Sequence, residues 1–151
     1  MMDECSALDL KENLEAIDES ITRELKAFQQ ATVRHIDTLY RRGVKRVLVA
    51  DEVGMGKTLI AKGAISKLAM LRKEVGDDFV KVVYICSNAS IADQNLKKLK
   101  IHENVNISPF GESRLSMQHL IVQEQENEAK TQNQFIQLIP LTPGTSFAAQ
   151  S

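Results

Sequence analysis

Residues 44–58 read Val44-Lys45-Arg46-Val47-Leu48-Val49-Ala50-Asp51-Glu52-Val53-Gly54-Met55-Gly56-Lys57-Thr58. A β-branched run, a glycine-rich turn and the start of a helical pattern follow one another without a break. Glycine permits positive φ and a close approach of the backbone to a ligand, successive N–H groups turn inward, and the following helix presents its positive N-terminus. Such a turn is a cradle for a polyphosphate. Lys57 is placed to reach the β and γ phosphates and Thr58 to offer its hydroxyl to Mg²⁺. The expected site is Asp51, Glu52, Val53, Gly54, Met55, Gly56, Lys57 and Thr58, with Lys57 and Thr58 nearest the chemistry and a nucleoside triphosphate as ligand.

Working outward, the β-branched content of Val44 to Ala50 predicts a buried strand, and the apolar spacing from Lys57 to about Lys73 predicts a helix packed on a sheet. In that helix Lys62, Lys67 and Arg72 are expected to escape to water. Gly76-Asp77-Asp78 turns the chain into Phe79–Cys86, a second strand of the continuously apolar kind that parallel sheets bury. Ser87 to Lys100 reads as a helix. Strand, helix, strand, helix predicts an α/β fold, a parallel sheet with helices on both faces.

Upstream, Leu10, Leu14, Ile17, Ile21, Leu25 and Phe28 step by three or four, as in an amphipathic helix, with a break expected near Asp18-Glu19-Ser20. A second helix is predicted from about Gln29 to Arg42, with Val33, Ile36, Leu39 and Tyr40 on one side and Gly43 at its C-terminus. Downstream, Asn104–Ser108 is expected as a short strand, Ser113–Val122 as a helix, residues 123–134 as a polar loop or frayed helix, and Phe135–Leu141 as a strand.

The 151 residues are about one domain, 43% hydrophobic and 26% charged, as in soluble globular chains. No apolar run approaches the roughly 20 residues of a membrane helix, and the acidic start lacks a secretion signal, so no membrane partner and a cytoplasmic location are expected. Cys5 and Cys86 stand apart without ligand spacing, which predicts neither zinc nor a disulfide. His35, His102 and His119 are scattered. Residues 34–100 carry 14 Lys and Arg against 7 Asp and Glu, a surplus of seven positive charges. That surplus suits a phosphate-rich ligand, and solvated lysines on the faces of an α/β domain would explain it equally.

Asp51-Glu52-Val53-Gly54-Met55-Gly56-Lys57-Thr58 carries an acidic residue where the general phosphate loop has Gly or Ala. It resembles the variant of superfamily two helicases and translocases, particularly the Swi/Snf-like ATPases and bacterial DEAD/DEAH-type relatives. The resemblance spans about residues 25–147, the N-terminal part of a RecA-like domain, and implies a helical segment over 1–26 followed by a truncated ATP-binding domain over 27–151. It implies that Gln29, or Gln30 as the fallback, reads the adenine edge, since a carboxamide can donate to a ring nitrogen and accept from the exocyclic amine. It implies that Ser87, Asn88 and Ser90, after the second strand, hold a nucleic-acid backbone, as do Thr142, Pro143 and Gly144. Capping of a helix explains the first group equally, and turn formation the second.

The family's hydrolytic Asp-Glu pair has no match in the chain. Asp51-Glu52 belongs to the phosphate loop, and Asp77-Asp78 precede a strand, the wrong end for catalysis. The expectation is therefore an incomplete helicase-type ATPase that uses ATP and Mg²⁺, partners a nucleic acid with DNA favoured over RNA, and depends on the C-terminal half of the helicase core. A non-motor, ATP-binding regulatory or adaptor module is the alternative. A small-molecule kinase is disfavoured by Asp51 and by the helices before the first strand.

Overall fold

Apolar residues spaced by three and four close the first helices of the chain onto the core. A computed structural model describes residues 10–107 and 135–142. Helix α1, Leu14–Glu24, buries Leu14 and Ile21, with Leu10 and Leu25 buried at its two ends. The break expected near Asp18 is absent. Asp18 lies inside α1 and is buried, and the chain turns instead at Leu25, whose extended backbone (φ −80°, ψ 140°) ends the helix.

Helix α2, Ala27–Arg41, buries Gln29, Val33 and Ile36. Gly43, at φ 82°, takes the left-handed conformation beyond its C-terminus and donates its N–H to the Tyr40 carbonyl. Helix α3, Lys57–Glu74, crosses α2 closely at Gly63, where a Cβ would stand 2.8 Å from one methyl of Val33 and 3.3 Å from Leu25. Arg41 at the end of α2 grips Glu74 at the end of α3 at 2.7 Å and 2.9 Å, and the guanidinium holds that carboxyl below its ordinary pKa.

The sheet is parallel and three-stranded, in the order β1-β3-β2: β1 is Val80–Ile85, β2 Asn106–Ile107 and β3 Ile136–Leu141. Val80 pairs with Ile136 and Ile85 with Leu141, while Ile107 pairs with Leu138 from the other side. Between β1 and β2, the two strands that flank β3, lies α4, Ala89–Leu99, a helical crossover between parallel strands of one sheet. Val80, Ile136 and Leu138 of the sheet share one core with Leu14 and Ile21 of α1, Ile65 and Ala69 of α3, and Leu96 and Leu99 of α4. The N-terminal helix is thus part of the sheet's own core.

Two expectations need correction. Val44–Ala50 is not a strand: it joins no ladder among the described residues, and Leu48 is 88% exposed. Alternation survives without pairing, because Val47 and Val49 pack on Leu25, Val33, Ile36 and Ile60 while Arg46, Leu48 and Ala50 are exposed. β-Branched residues favour a pleated surface but cannot supply the neighbouring strand that completes it. The second concerns β1, which is buried on one side only: Val80 is buried and Val82 and Tyr84 are half-buried, whereas Lys81, Val83 and Ile85 are exposed. All the described helices that share the sheet's core lie on the Val80 face. The expected helix Ser113–Val122 and the segment 123–134 lie outside the described residues.

Candidate nucleotide site

Two glycines at positive φ build the turn between residue 50 and α3. Gly54 (φ 85°) has open space where a side chain would begin, and Gly56 (φ 76°) is the residue before the first turn of α3. An L side chain at either position would be strained. The first bonds onto the helix run from Leu59 N and Ile60 N to the Gly56 carbonyl, so the Lys57 and Thr58 amides stand ahead of the ladder at its positive end. Lys57 folds back across the turn and its ammonium donates to the Glu52 carbonyl at 2.7 Å, closing a ring of six residues. Val53 is 99% exposed at the tip, and Met55 and Lys57 are also exposed.

The residues fit a polyphosphate: a glycine turn free of side chains, amides ahead of a helix, and an ammonium whose present partner is a neutral carbonyl. They fit a metal less completely. Thr58 is half-buried in the first turn of α3, and Asp51 Oδ2 is a buried carboxylate oxygen without a hydrogen-bond partner among the described residues. No group of three or more His, Cys, Asp or Glu able to hold a metal ion occurs among the described residues.

Gln29 does not face solvent. It is 3% exposed, its Oε1 accepts from Lys26 N at 2.9 Å, and its Nε2 donates to the Met55 carbonyl at 3.0 Å. The structure thus brings Gln29 to the phosphate loop, against the backbone of the loop itself. Gln30 lies apart: its Nε2 donates to the carbonyls of Thr22 and Leu25, and its Oε1 accepts from Arg34, so it ties the corner between α1 and α2.

Asn88 caps α4, its side-chain oxygen accepting from Ser90 N at 2.8 Å and Ile91 N at 3.2 Å. Ser87, Asn88 and Ser90 are all exposed. Because β1 and β3 run parallel, Cys86 N meets the Leu141 carbonyl at 3.2 Å, which puts Ser87 and Thr142 at the same end of the sheet. Thr142 is 1% exposed. Pro143 and Gly144 lie outside the described residues. Cys86 is a free thiol that donates to the Asn88 carbonyl.

One group escaped the sequence reading. Lys67, expected in water, extends its ammonium to 2.5 Å from Asp18 Oδ2, and Ser66 donates to Asp18 Oδ1 at 2.9 Å. This cluster, with Asp18 and Ser66 buried and Lys67 half-buried, pins α1 to the middle of the helix that follows the loop. Its only trace in the sequence is Asp18 on the apolar side of the α1 pattern, between Leu14 and Ile21.

The family described as Type III restriction enzyme, res subunit, matches residues 19–141. Protein CHROMATIN REMODELING 19 of Arabidopsis thaliana is 31% identical over 72 residues, which cover 48% of this chain and 9% of that protein. No solved structure matches. No helix among the described residues is long and apolar enough to cross a membrane.

Proposed function

The chain belongs to the Type III restriction enzyme res subunit family, a helicase-type ATP-binding group, and from that membership we propose that it is the ATP-binding part of a nucleic-acid-dependent helicase or translocase. The observation that carries this reading is the Asp51–Thr58 turn, with two glycines at positive φ and Lys57 folded across it at the head of α3. Lys57 would exchange the Glu52 carbonyl for phosphate oxygens, and Thr58 would contribute a hydroxyl to Mg²⁺. Gly54 and Gly56 keep side chains out of the cradle. Asp51, Glu52, Val53 and Met55 supply the rest of its backbone. Bound ATP and Mg²⁺ would provide the transferable phosphoryl group and the charge that neutralises it.

Turnover needs more than this. A carboxylate that orients the attacking water, and cations from a second domain, are not matched in the 151 residues. The motor is the chain together with the C-terminal half of a helicase core, and nucleic acid, DNA in the first instance, is the track. Ser87, Asn88 and Ser90 are exposed at the C-terminal end of β1 and offer small polar groups to one phosphate of its backbone. The cytoplasm suits such a protein.

The test is ATP hydrolysis by the chain joined to the C-terminal half of a helicase core from the same family, with and without duplex DNA. DNA stimulation that is lost in Lys57→Ala is the expected result. Hydrolysis indifferent to DNA and RNA would replace the motor with an ATP-binding adaptor.

A further inference from the structure

Residues 41–46, Arg41-Arg42-Gly43-Val44-Lys45-Arg46, hold four cations and no acid. Whether such a run is a solvated face or a binding surface depends on which of its charges are already answered inside the protein. Arg41 is answered, by Asp37 of α2 and Glu74 of α3. Elsewhere Arg34 is held by Gln30, Arg72 pairs with Asp77 and Lys97 with Asp93. Arg42, Lys45 and Arg46 differ: all three are exposed, and their side chains have no partner among the described residues.

The turn that carries them is fixed. Gly43 N donates to the Tyr40 carbonyl at 2.9 Å and Val44 N to the Leu39 carbonyl at 3.0 Å, the paired bonds of a Schellman cap, with Gly43 at φ 82°. The Arg41–Glu74 pair ties this end of α2 to the end of α3, and Val47 packs into the core just beyond Arg46. A ligand arriving here orders side chains alone, since the backbone already has its shape.

Charge is what the turn offers. Protein interfaces of this size are anchored by a buried aromatic or apolar side chain, and the sole apolar residue of 41–46 is Val44, 39% exposed. Tyr40 packs on the core of Leu25, Val33, Ile36 and Ile60, so its ring is not presented for stacking on a base. Long cations on a fixed turn suit phosphates, which follow one another about every 1.7 Å along a duplex axis. The turn is also remote from the loop. Gln29, near the start of α2, touches Met55, and a helix rises about 1.5 Å per residue, which puts Arg42 about 20 Å away.

We propose that Arg42, Lys45 and Arg46 form a second nucleic-acid contact, a sequence-independent grip on the backbone phosphates of a duplex at the end of α2 opposite the phosphate loop. The proposal rests on the nucleic-acid part of the reading above and adds a place of contact to it. Bound nucleotide plays no part.

The test titrates the full chain, without nucleotide, with short duplex DNA of two unrelated sequences over roughly 50 to 200 mM salt. A variant carrying Arg42→Gln, Lys45→Gln and Arg46→Gln is compared, because glutamine removes the charge and keeps part of the aliphatic stem. Lys98→Gln is the control: Lys98 is an exposed cation of α4 whose side chain also has no partner among the described residues. The expected result is equal affinity for both sequences and, in the triple variant, a slope of log affinity against log salt shallower by about 0.9 for each cation removed. The Lys98→Gln slope should match that of the unaltered chain. If the triple variant loses its fold, the three single variants carry the test, each expected to shift the slope by about 0.9.

Tight DNA binding with the slope unchanged in the triple variant would overturn the proposal and leave nucleic acid as the partner. A shift of the same size per charge in Lys98→Gln would trace the effect to net charge and overturn it too. Tighter binding to poly-glutamate than to DNA, lost in the triple variant, would make the turn a dock for an acidic protein. Failure of the unaltered chain to bind DNA at the lowest salt would also overturn the proposal, and DNA stimulation of the chain joined to its C-terminal half would still judge the motor separately.

Discussion

Asp18 shows how much one side chain can carry. Its carboxylate is buried between Ser66 and Lys67, with both oxygens hydrogen-bonded. A buried charge is tolerated only with its partners, and removing one partner strands the other. Asp18→Ala should destabilise the chain by roughly 3–5 kcal/mol in denaturant unfolding, because it leaves the Lys67 ammonium without its counter-charge. A loss below about 1 kcal/mol would mean that Lys67 simply swings into water, as exposed pairs allow. None of this was legible in the chain. Asp18 lies 48 residues from Ser66, and local pattern reads a lone carboxylate on an apolar face as a helix break. The loop residues lie at the other extreme, because φ above zero at Gly54 and Gly56 and the reach of Lys57 are local properties that the Asp51–Thr58 spacing states outright.

At the scale of elements, Gly63 decides how closely α2 and α3 approach. Its replacement by Ala favours the helix by about 1 kcal/mol. The added methyl would, however, stand 2.8 Å from Val33, a β-branched side chain with little freedom to rotate, and 3.3 Å from Leu25. Overpacking costs typically about 1–3 kcal/mol, so the clash outweighs the propensity. Gly63→Ala should lower the thermal midpoint, and a raised midpoint would show that the two helices separate freely. The spans of α2, α3, α4, β1 and β3 were legible to within about two or three residues, since each has its own period or its own stop signal, such as Gly43 after α2. The pairing of Val44–Ala50 was not. A strand's partners come from elsewhere in the chain, and composition alone predicts a surface ready to pair, as the exposure of Leu48 beside the packed Val47 and Val49 demonstrates.

Over the whole molecule, one core joins the N-terminal helix, the helix behind the phosphate loop and the parallel sheet. Leu14 and Ile21 of α1 belong to the same core as Ile136 and Leu138 of β3. The family match spans residues 19–141, and the glycine turn with two positive-φ residues lies within that span. The central claim is that this loop holds the phosphates of ATP, and equilibrium binding of ATP in Mg²⁺ to the full chain and to Lys57→Ala tests it most directly. The account predicts saturable binding by the unaltered chain and a loss of about tenfold or more in the variant, in keeping with the roughly 1.5–3 kcal/mol of a charge-assisted hydrogen bond. Equal binding by both proteins, with the variant fully folded, would contradict it.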